Sequence, residues 1–289
     1  MTRAAAKLGI QQPPLSQQIK ALEQQLGLLL FERHPKGVTL TEAGRLFQIE
    51  SRKILQDMAS MAQRMQRLSQ GEEGRVAVGF TSSAAAHRFT PQALRECRRR
   101  YPDITLSLSE NNAAEITEAV LAQRLECGLI RVPVAQPDDL VFETLFREPV
   151  VVALPLDHPL VQGRSAPTIR LSDLHDEALI LARRPGAPGL YANLLELCRA
   201  AGVKPRIAAE VDRMVTNLNL VAAGAGISIV PASMQGLHAD AIVYCPLLEG
   251  QALDAPMTLV HRRLDRSGAS ATFLALTRRL ALPWQVVGP

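Results

Sequence analysis

The stretch Gly9–Gly27, GIQQPPLSQQIKALEQQLG, decides how the first part of the chain folds. Leu15, Ile19, Leu22 and Leu26 follow a 4-3-4 spacing, which lines one face of a helix with apolar side chains. Pro13 and Pro14 stand at its front. Proline is tolerated in the first helical turn, because the N–H it lacks would be unpaired there anyway. The helix therefore starts near Gln12, and Gly27 closes it. Gln12, Ser16, Gln17 and Lys20 fall on the other side, toward the N-terminal end. A stiffened entry with short polar side chains suits a helix that presents its end to base edges and phosphates.

The flanks extend this reading. TRAAAKLG forms a short helix that stops at Gly9. LLLFERHPKGVTLTEAG reads as two strands, Leu28–Glu32 and Val38–Leu40, around a turn at His34-Pro35-Lys36-Gly37. Helix, short turn, second helix and basic hairpin make a winged helix-turn-helix pattern, whose second helix enters the major groove by its N-terminal end. Arg33 and Lys36 on the hairpin would reach the backbone or the minor groove. The competing reading is an ordinary helical hairpin with a polar face. Residues 41–70 then form one long helix, with Thr41 as N-cap and Glu42 in the first turn. Phe47, Ile54, Met58, Met61, Met65 and Leu68 continue a 3-4 seam broken only at Ser51. That is a short coiled coil, and it predicts a homodimer. Methionine in such a seam fills a core rather than binding a ligand.

Charge separates this segment from the rest. Residues 1–70 hold ten Lys/Arg against five Asp/Glu, or +5, so the remainder carries −1 of the chain's net +4. A basic module on a near-neutral body points to a polyanion partner for the module alone. The chain's 289 residues and 47% apolar content allow two or three compact domains with large cores. No apolar run approaches the roughly 20 residues that span a bilayer, and MTRAAAKLG has no apolar signal region. Cys97, Cys127, Cys198 and Cys245 lie far apart with no CxxC pair, which fits buried thiols in a reduced, cytoplasmic setting.

SQGEEGR (69–75) is a linker. Beyond it strands alternate with helices. RVAVGF, ITLSLSE, CGLIRV, PVVVAL, EALILA, RIAAEV and ISIVP read as strands. PQALRECRRRYP, AEITEAVLAQRL, YANLLELCRAAG and RMVTNLNLVAAG read as helices. This is an α/β pattern with mainly parallel sheets, which bind ligands beyond the carboxyl ends of their strands.

TRAAAKLGIQQPPLSQQIKALEQQLGLLLFERHPKGVTLTEAG resembles the DNA-binding module of LysR-type transcriptional regulators. GRVAVGF, LPLDHPL and LVAAGAGISIVPAS follow in that family's order, so the resemblance covers essentially the whole chain. QPPLS and VAAGAGISIVPAS are most similar to the branch that senses aromatic acids and their ring-cleavage products. The resemblance implies an α/β chain in three parts. A winged helix-turn-helix takes residues 1–40 and a linker and dimerisation helix residues 41–70. A two-lobed effector domain of the periplasmic-binding type takes 71–289, with lobe I at about 75–147 and 252–289 and lobe II at about 148–251. It implies double-stranded operator DNA, a small anionic effector such as an aromatic or dicarboxylic acid, and a homodimer that pairs into a tetramer. It places DNA contacts at Gln12, Pro13, Pro14, Ser16 and Gln17, with Arg33 on the wing. Many members have arginine where this chain has Gln17. Members also carry a further helix before TRAAAKLG. The expectation is a chain that begins inside the module, with an exposed apolar face near residues 4–30.

For the effector, FTSSAAAH puts Thr81, Ser82 and Ser83 at a strand end and a helix start, where free N–H groups and the helix dipole favour anions. Plain N-capping is the simpler use of the same residues. Arg131 ends the strand CGLIR on the same edge, suited to grip a carboxylate or to pair with a nearby acid. Asn111 and Asn112 follow the neighbouring strand. RRPGAPG carries Pro188 and Gly189, which match the family's second-lobe cleft segment. No GxSxG elbow is present. VAAGAGISIVP is GxGxxI after a helix, not a nucleotide loop, and Gly224 serves as a helix C-cap. Six scattered histidines offer no metal spacing. No cofactor, metal or catalytic residue is expected. The rival reading is a solute-binding protein with no DNA role, against which residues 1–70 argue.

Overall fold

A computed structural model describes residues 2–35, 37–131, 137–163, 167–182, 189–264 and 267–285. The chain divides into two compact units, Met1–Gln66 and Arg67–Pro289.

The first unit opens with α1 (Thr2–Lys7) packed on α2 (Gln12–Leu26). Both prolines lie in the first turn of α2. Gly27 ends α2 in the left-handed conformation at φ +67° and returns its N–H to Gln24, a turn that glycine adopts without strain. A two-stranded hairpin follows, β1 (Phe31–His34) against β2 (Gly37–Leu40). The first strand begins three residues later than the sequence indicates. Leu28 and Leu29 stay outside it because the Glu23 carboxylate receives the N–H groups of Leu30 and Phe31 at 2.8 and 3.1 Å. That contact ties α2 to the wing. The long helix α3 (Glu42–Gln70) is capped by Thr41, whose hydroxyl accepts from Gly44 N–H at 2.8 Å and donates to Leu29 carbonyl.

Apolar cover in this unit is thin. Leu15 is buried, Ile19 and Leu22 are half-buried, and Leu8, Ile10, Leu26, Leu28 and Leu29 are exposed. The apolar face expected near residues 4–30 is therefore present, since six-residue α1 shields little beyond Leu15. Ile54, Met58, Met61, Met65 and Leu68 also lie exposed along α3.

The second unit holds β3 (Gly74–Phe80), α4 (Ser82–Ala86), α5 (Phe89–Arg100), β4 (Ile104–Glu110), α6 (Ala113–Leu121), β5 (Cys127–Ile130) and β6 (Leu140–Pro155). It continues through β7 (Ala178–Ala182), α7 (Gly189–Ala200), β8 (Arg206–Val211), α8 (Met214–Ala222), β9 (Ser228–Pro231), β10 (Ile242–Pro246), β11 (Asp254–Arg262) and α9 (Gly268–Gln285). The main sheet runs β10-β6-β11-β5-β3-β4, with β9 also on β6, and β7 pairs β8 separately.

Among the described residues the parallel ladders are β3 with β4, β3 with β5, and β7 with β8. The other four ladders of this unit are antiparallel, so the mainly parallel sheet read from the sequence is corrected. The cause is β6. Its residues 140–149 pair with β11 except Leu145, which is skipped at a bulge, and its last six pair with β9 and β10. One strand thus serves two lobes.

Each lobe has its own core. Val76 and Val78 of β3 face Phe89, Leu129 and Phe273 beneath α5 and α9. On the opposite face Ala77 meets Ile116, Val120 and Leu125 under α6. In lobe II, Val150, Val152 and Leu154 of β6 join Leu179, Leu181 and Tyr191, while Val151 and Ala153 face Leu218 and Val230. This is the period-two alternation of a strand buried on both faces.

Gly79 and Gly128 are register partners on β3 and β5, and together they form a flat pad beneath α6. A Cβ on Gly128 would stand 2.2 Å from Ile116 Cγ2, and one on Gly79 would stand 2.6 Å from Leu125 Cδ1. Gly128→Ala is expected to lower unfolding free energy by about 1–3 kcal/mol through overpacking. Urea unfolding followed by circular dichroism measures it, and an unchanged midpoint would show that α6 can ride up freely.

Candidate DNA-reading helix and effector cleft

Geometry at the front of α2 groups most of the residues singled out above. Gln12, Pro13, Pro14, Gln17 and Lys20 are exposed and Ser16 is half-exposed. Gln12 Nε2 donates to Ser16 Oγ at 3.1 Å, across one helical turn. With Lys20 a further turn on, these three form a polar stripe opposite Leu15 and Leu22. The helix entry, Gln11, makes no side-chain cap. Pro13 and Pro14 carry no N–H, so in the first turn only Gln12 has an N–H without a partner inside the helix. Arg33 is exposed on β1, in register with Val38 of β2. Lys36 lies outside the described residues. Glu23, which sets the wing against α2, went unnoticed in the sequence because its role rests on contacts seven and eight residues away.

In the second unit, β3, β4 and β5 run parallel, so their carboxyl ends share one edge. That edge gathers Thr81–Ser83, Asn111–Asn112 and Arg131. Thr81 N–H donates to Leu129 carbonyl at 3.1 Å, and Asn111 N–H to Phe80 carbonyl at 3.2 Å, which binds the three ends together. The edge faces lobe II, where α4 packs against α8 and the 3-10 turn Ala232–Met234.

The local roles differ from one residue to the next. Thr81 caps α4 by accepting from Ala84 N–H at 3.2 Å and lies 3.3 Å from Ser83 Oγ. Ser82 and Ser83 are buried. They occupy the first two positions of α4, where N–H groups have no partner within a helix. Asn112 forms a capping box with Glu115: its Oδ1 accepts from Glu115 N–H at 3.0 Å, and the Glu115 carboxylate accepts from Asn112 N–H at 3.2 Å. Its side-chain oxygen is therefore committed to the helix. Asn111 instead lines an open cavity of about 330 Å³ with Ser109, Glu115, Glu118 and Arg124, between β4 and α6. Gly189 begins α7, and Pro188 lies outside the described residues.

Arg131 is the main correction. Instead of a free guanidinium poised for a carboxylate, it forms a buried ion pair with Glu148 of β6. Its Nη2 donates to Ser83 carbonyl at 3.0 Å and to Ser233 Oγ at 3.1 Å, and Nη1 to Ala255 carbonyl at 3.3 Å. Glu148 also receives Ser233 N–H at 2.8 Å and Ser233 hydroxyl at 3.0 Å. Desolvation draws the guanidinium below its ordinary pKa, and the Glu148 carboxylate opposes that. Only Nε among its nitrogens is buried with no partner among the described residues. Arg131 is thus a strut joining α4, β6, β11 and the Ala232–Met234 turn. Glu148 and Ser233 were missed because nothing in the sequence pairs positions so far apart.

Behind α4 lies a second group that sequence did not reveal. His87 packs on Phe146 and Trp284, with ring centroids at 4.9 and 4.7 Å, and its Nδ1 accepts from Phe89 N–H at 3.0 Å. Arg88 places its guanidinium 5.2 Å from the Trp284 ring, a cation–π distance. Burial, then the charges of Arg131 and Arg88, lower the His87 pKa from 6.5 to about 4.

Comparison with known proteins gives matches along both units. The model of the lysR family of bacterial regulatory helix-turn-helix proteins matches residues 1–45, and that of the LysR substrate binding domain matches residues 69–281. The uncharacterized HTH-type transcriptional regulator YnfL of Escherichia coli K12 is 38% identical over 271 residues, covering 94% of this chain and 90% of that protein. Full-length CbnR in complex with its target DNA aligns over 97% of this chain and 93% of its own, at 29% identity and a TM-score of 0.81. The BenM effector binding domain with its effector benzoate aligns over 74% and 95%, at 26% identity and a TM-score of 0.62.

The His87 environment makes a pH prediction. The folded chain resists protonating His87, whereas the unfolded chain takes the proton near pH 6.5, so this contribution to stability is full above 6.5 and is lost as pH falls toward 4. Glu96, lowered to about 2 by Arg99 and Arg100, adds its own loss only below about 4.5. Melting temperature should therefore fall between pH 6.5 and 4.5, and His87→Gln should flatten that slope. Equal slopes in both proteins would assign the pH response elsewhere.

Proposed function

Because the chain belongs to the LysR family of DNA-binding transcriptional regulators, we propose that it reads operator DNA through the front of α2 and the wing, and answers to a small anionic effector held between its lobes. Gln12, Ser16 and Gln17 are assigned to base edges and phosphates. Pro13 and Pro14 shape the entry, and Lys20, Arg33 and Lys36 attract phosphates. The exposed seam of α3 is assigned to a homodimer, and two dimers to a tetramer, which would present paired half-sites. The setting is the cytoplasm, and the chain acts by binding rather than by catalysis. No helix among the described residues is long and apolar enough to cross a membrane.

One observation carries the effector assignment. The carboxyl ends of three parallel strands bring the open N–H groups and hydroxyls of Ser82 and Ser83 to an edge that faces lobe II. Such an edge favours an anionic group. Thr81, Asn111 and Asn112 frame that edge, and Pro188 and Gly189 are assigned to the opposite wall. BenM has benzoate as its effector, and an aromatic or dicarboxylic acid is the class proposed here. Arg131 supports the floor through Glu148 and would contribute to the ligand through Nε alone.

DNA binding should weaken steeply with salt. Arg33→Ala should weaken binding to every sequence, whereas Gln12→Ala should change base preference, each lost base contact costing about 1–3 kcal/mol. Fluorescence anisotropy on operator and random duplexes separates the two. Equal losses on both duplexes for Gln12→Ala would remove it from base readout.

For the effector, a thermal-shift screen of aromatic and dicarboxylic acids on the full chain should yield a stabilising ligand. Ser83→Ala should then weaken that ligand about ten-fold or more, the loss of one hydrogen bond to a charged group. Unchanged affinity would move the site away from α4.

A further inference from the structure

Two polar links between the lobes of the second unit differ in kind. One is the buried Arg131–Glu148–Ser233 strut, with both charged side chains under a tenth exposed. The other lies where β4 ends and α8 begins. Glu110, the last residue of β4 in lobe I, accepts from Arg213 Nη1 at 3.1 Å, and Arg213 is the residue that enters α8 in lobe II. Here the side chains are 41% and 50% exposed.

Position gives this pair its leverage. Glu110 immediately precedes Asn111, whose N–H is tied to Phe80 at the end of β3. Arg213 supplies the carbonyl that receives Asn217 N–H and so starts α8. Between the two runs the packing of α4 on α8. The pair therefore bridges the lobes beside the edge that holds Ser82 and Ser83, across the rim of the cleft.

Burial separates the two links energetically. Breaking the buried strut would strand a charge without water, so it persists through any motion the domain makes. The exposed pair is nearly balanced against solvation of its two charges, so it opens at little cost. One link therefore resists separation of the lobes and the other yields to it readily.

We propose that Glu110 and Arg213 form an electrostatic latch across the cleft rim, which biases the lobes toward the arrangement seen here without any ligand. Its strength is that of an exposed ion pair, a shift of up to about five-fold in the ratio of latched to unlatched forms. A ligand that preferred either arrangement would need to add to or oppose only this small bias. The inference stands on the contact between the lobes and does not depend on the effector's chemistry.

Hydrogen–deuterium exchange on the full-length protein tests it. Exchange in peptides covering α4 and α8 reports opening between the lobes, and peptides covering β11 report global unfolding. Glu110→Gln and Arg213→Gln should each speed exchange in α4 and α8 by about two- to five-fold, with β11 unchanged. The charge-reversed pair Glu110→Arg with Arg213→Glu should restore the original rate. In 1 M NaCl, where screening acts within about 3 Å, the original protein should approach the single variants. Two results would overturn the latch. Either α4 and α8 exchange at the original rate in both single variants, or the reversed pair exchanges as fast as they do. Faster exchange spread equally to β11 also counts against it, because a fold defect rather than a latch would then be the cause.

Discussion

The pairing of Arg131 with Glu148 is the constraint on which the effector unit turns. Glu148 stands on β6 at the point where that strand leaves one lobe's sheet and enters the other's. Arg131 closes the edge of lobe I, and its donors hold the carbonyls of Ser83 and Ala255. Ser233 brings lobe II to the same carboxylate with both its N–H and its hydroxyl. A buried pair of this kind adds little net stability over an apolar replacement, but it strongly disfavours any arrangement that separates its members. Its contribution is therefore to geometry. It fixes which face of α4 meets lobe II, and it leaves the first turn of that helix at the junction.

How much of this was legible follows from the range of each interaction. The start of α2 was readable because prolines in a first turn and apolar spacing are local signals. Thr41 as N-cap and Gly27 as helix end were readable for the same reason. The convergence of Thr81–Ser83, Asn111–Asn112 and Arg131 on one edge was also readable, since parallel strands joined by helices impose it. Of the long β6 only the second part was readable, as PVVVAL. Its residues 140–148, LVFETLFRE, carry Glu143, Arg147 and Glu148, which break the apolar run that marks a buried strand. Glu143 is accounted for by Arg278, at 2.7 Å from α9, and Glu148 by Arg131. Those partners lie 135 and 17 residues away, and only the folded topology identifies them. The missed strands β10 and β11 depend on β6 in turn, so one half-read strand turned a mixed sheet into a parallel one.

The DNA-reading unit works under a different constraint, a shortage of interior. Helices α1 and α2 are short, and Leu8 after α1, Leu26 of α2, and Leu28 and Leu29 before the wing remain exposed. Order in such a unit must come from specific polar contacts. Glu23 holds the first residues of β1, and Thr41 holds both Leu29 and the start of α3. Gly44 admits the backbone of Leu30, whose carbonyl oxygen would lie only 2.0 Å from a Cβ at that position. The wing is thus registered to the recognition helix by three contacts that a hydrophobic count would overlook. Since the hairpin carries Arg33, an error in that register would displace the cation proposed above to meet a phosphate, without unfolding anything.

Two arginines stand near the cleft edge, and each has an acidic partner. A free arginine there would attract any anion by Coulomb force alone, with little regard for shape. In this chain the Arg131 charge is matched by Glu148, and the Arg213 charge by Glu110. What remains at the edge is directional: N–H groups at the start of α4, two serine hydroxyls and the single Nε–H of Arg131. Groups of that kind discriminate by angle and distance, because a hydrogen bond weakens steeply off its axis. In the proposed site such groups would reject an anion of the wrong shape even when its charge is right, because Glu148 and Glu110 already match the two arginine charges at the edge.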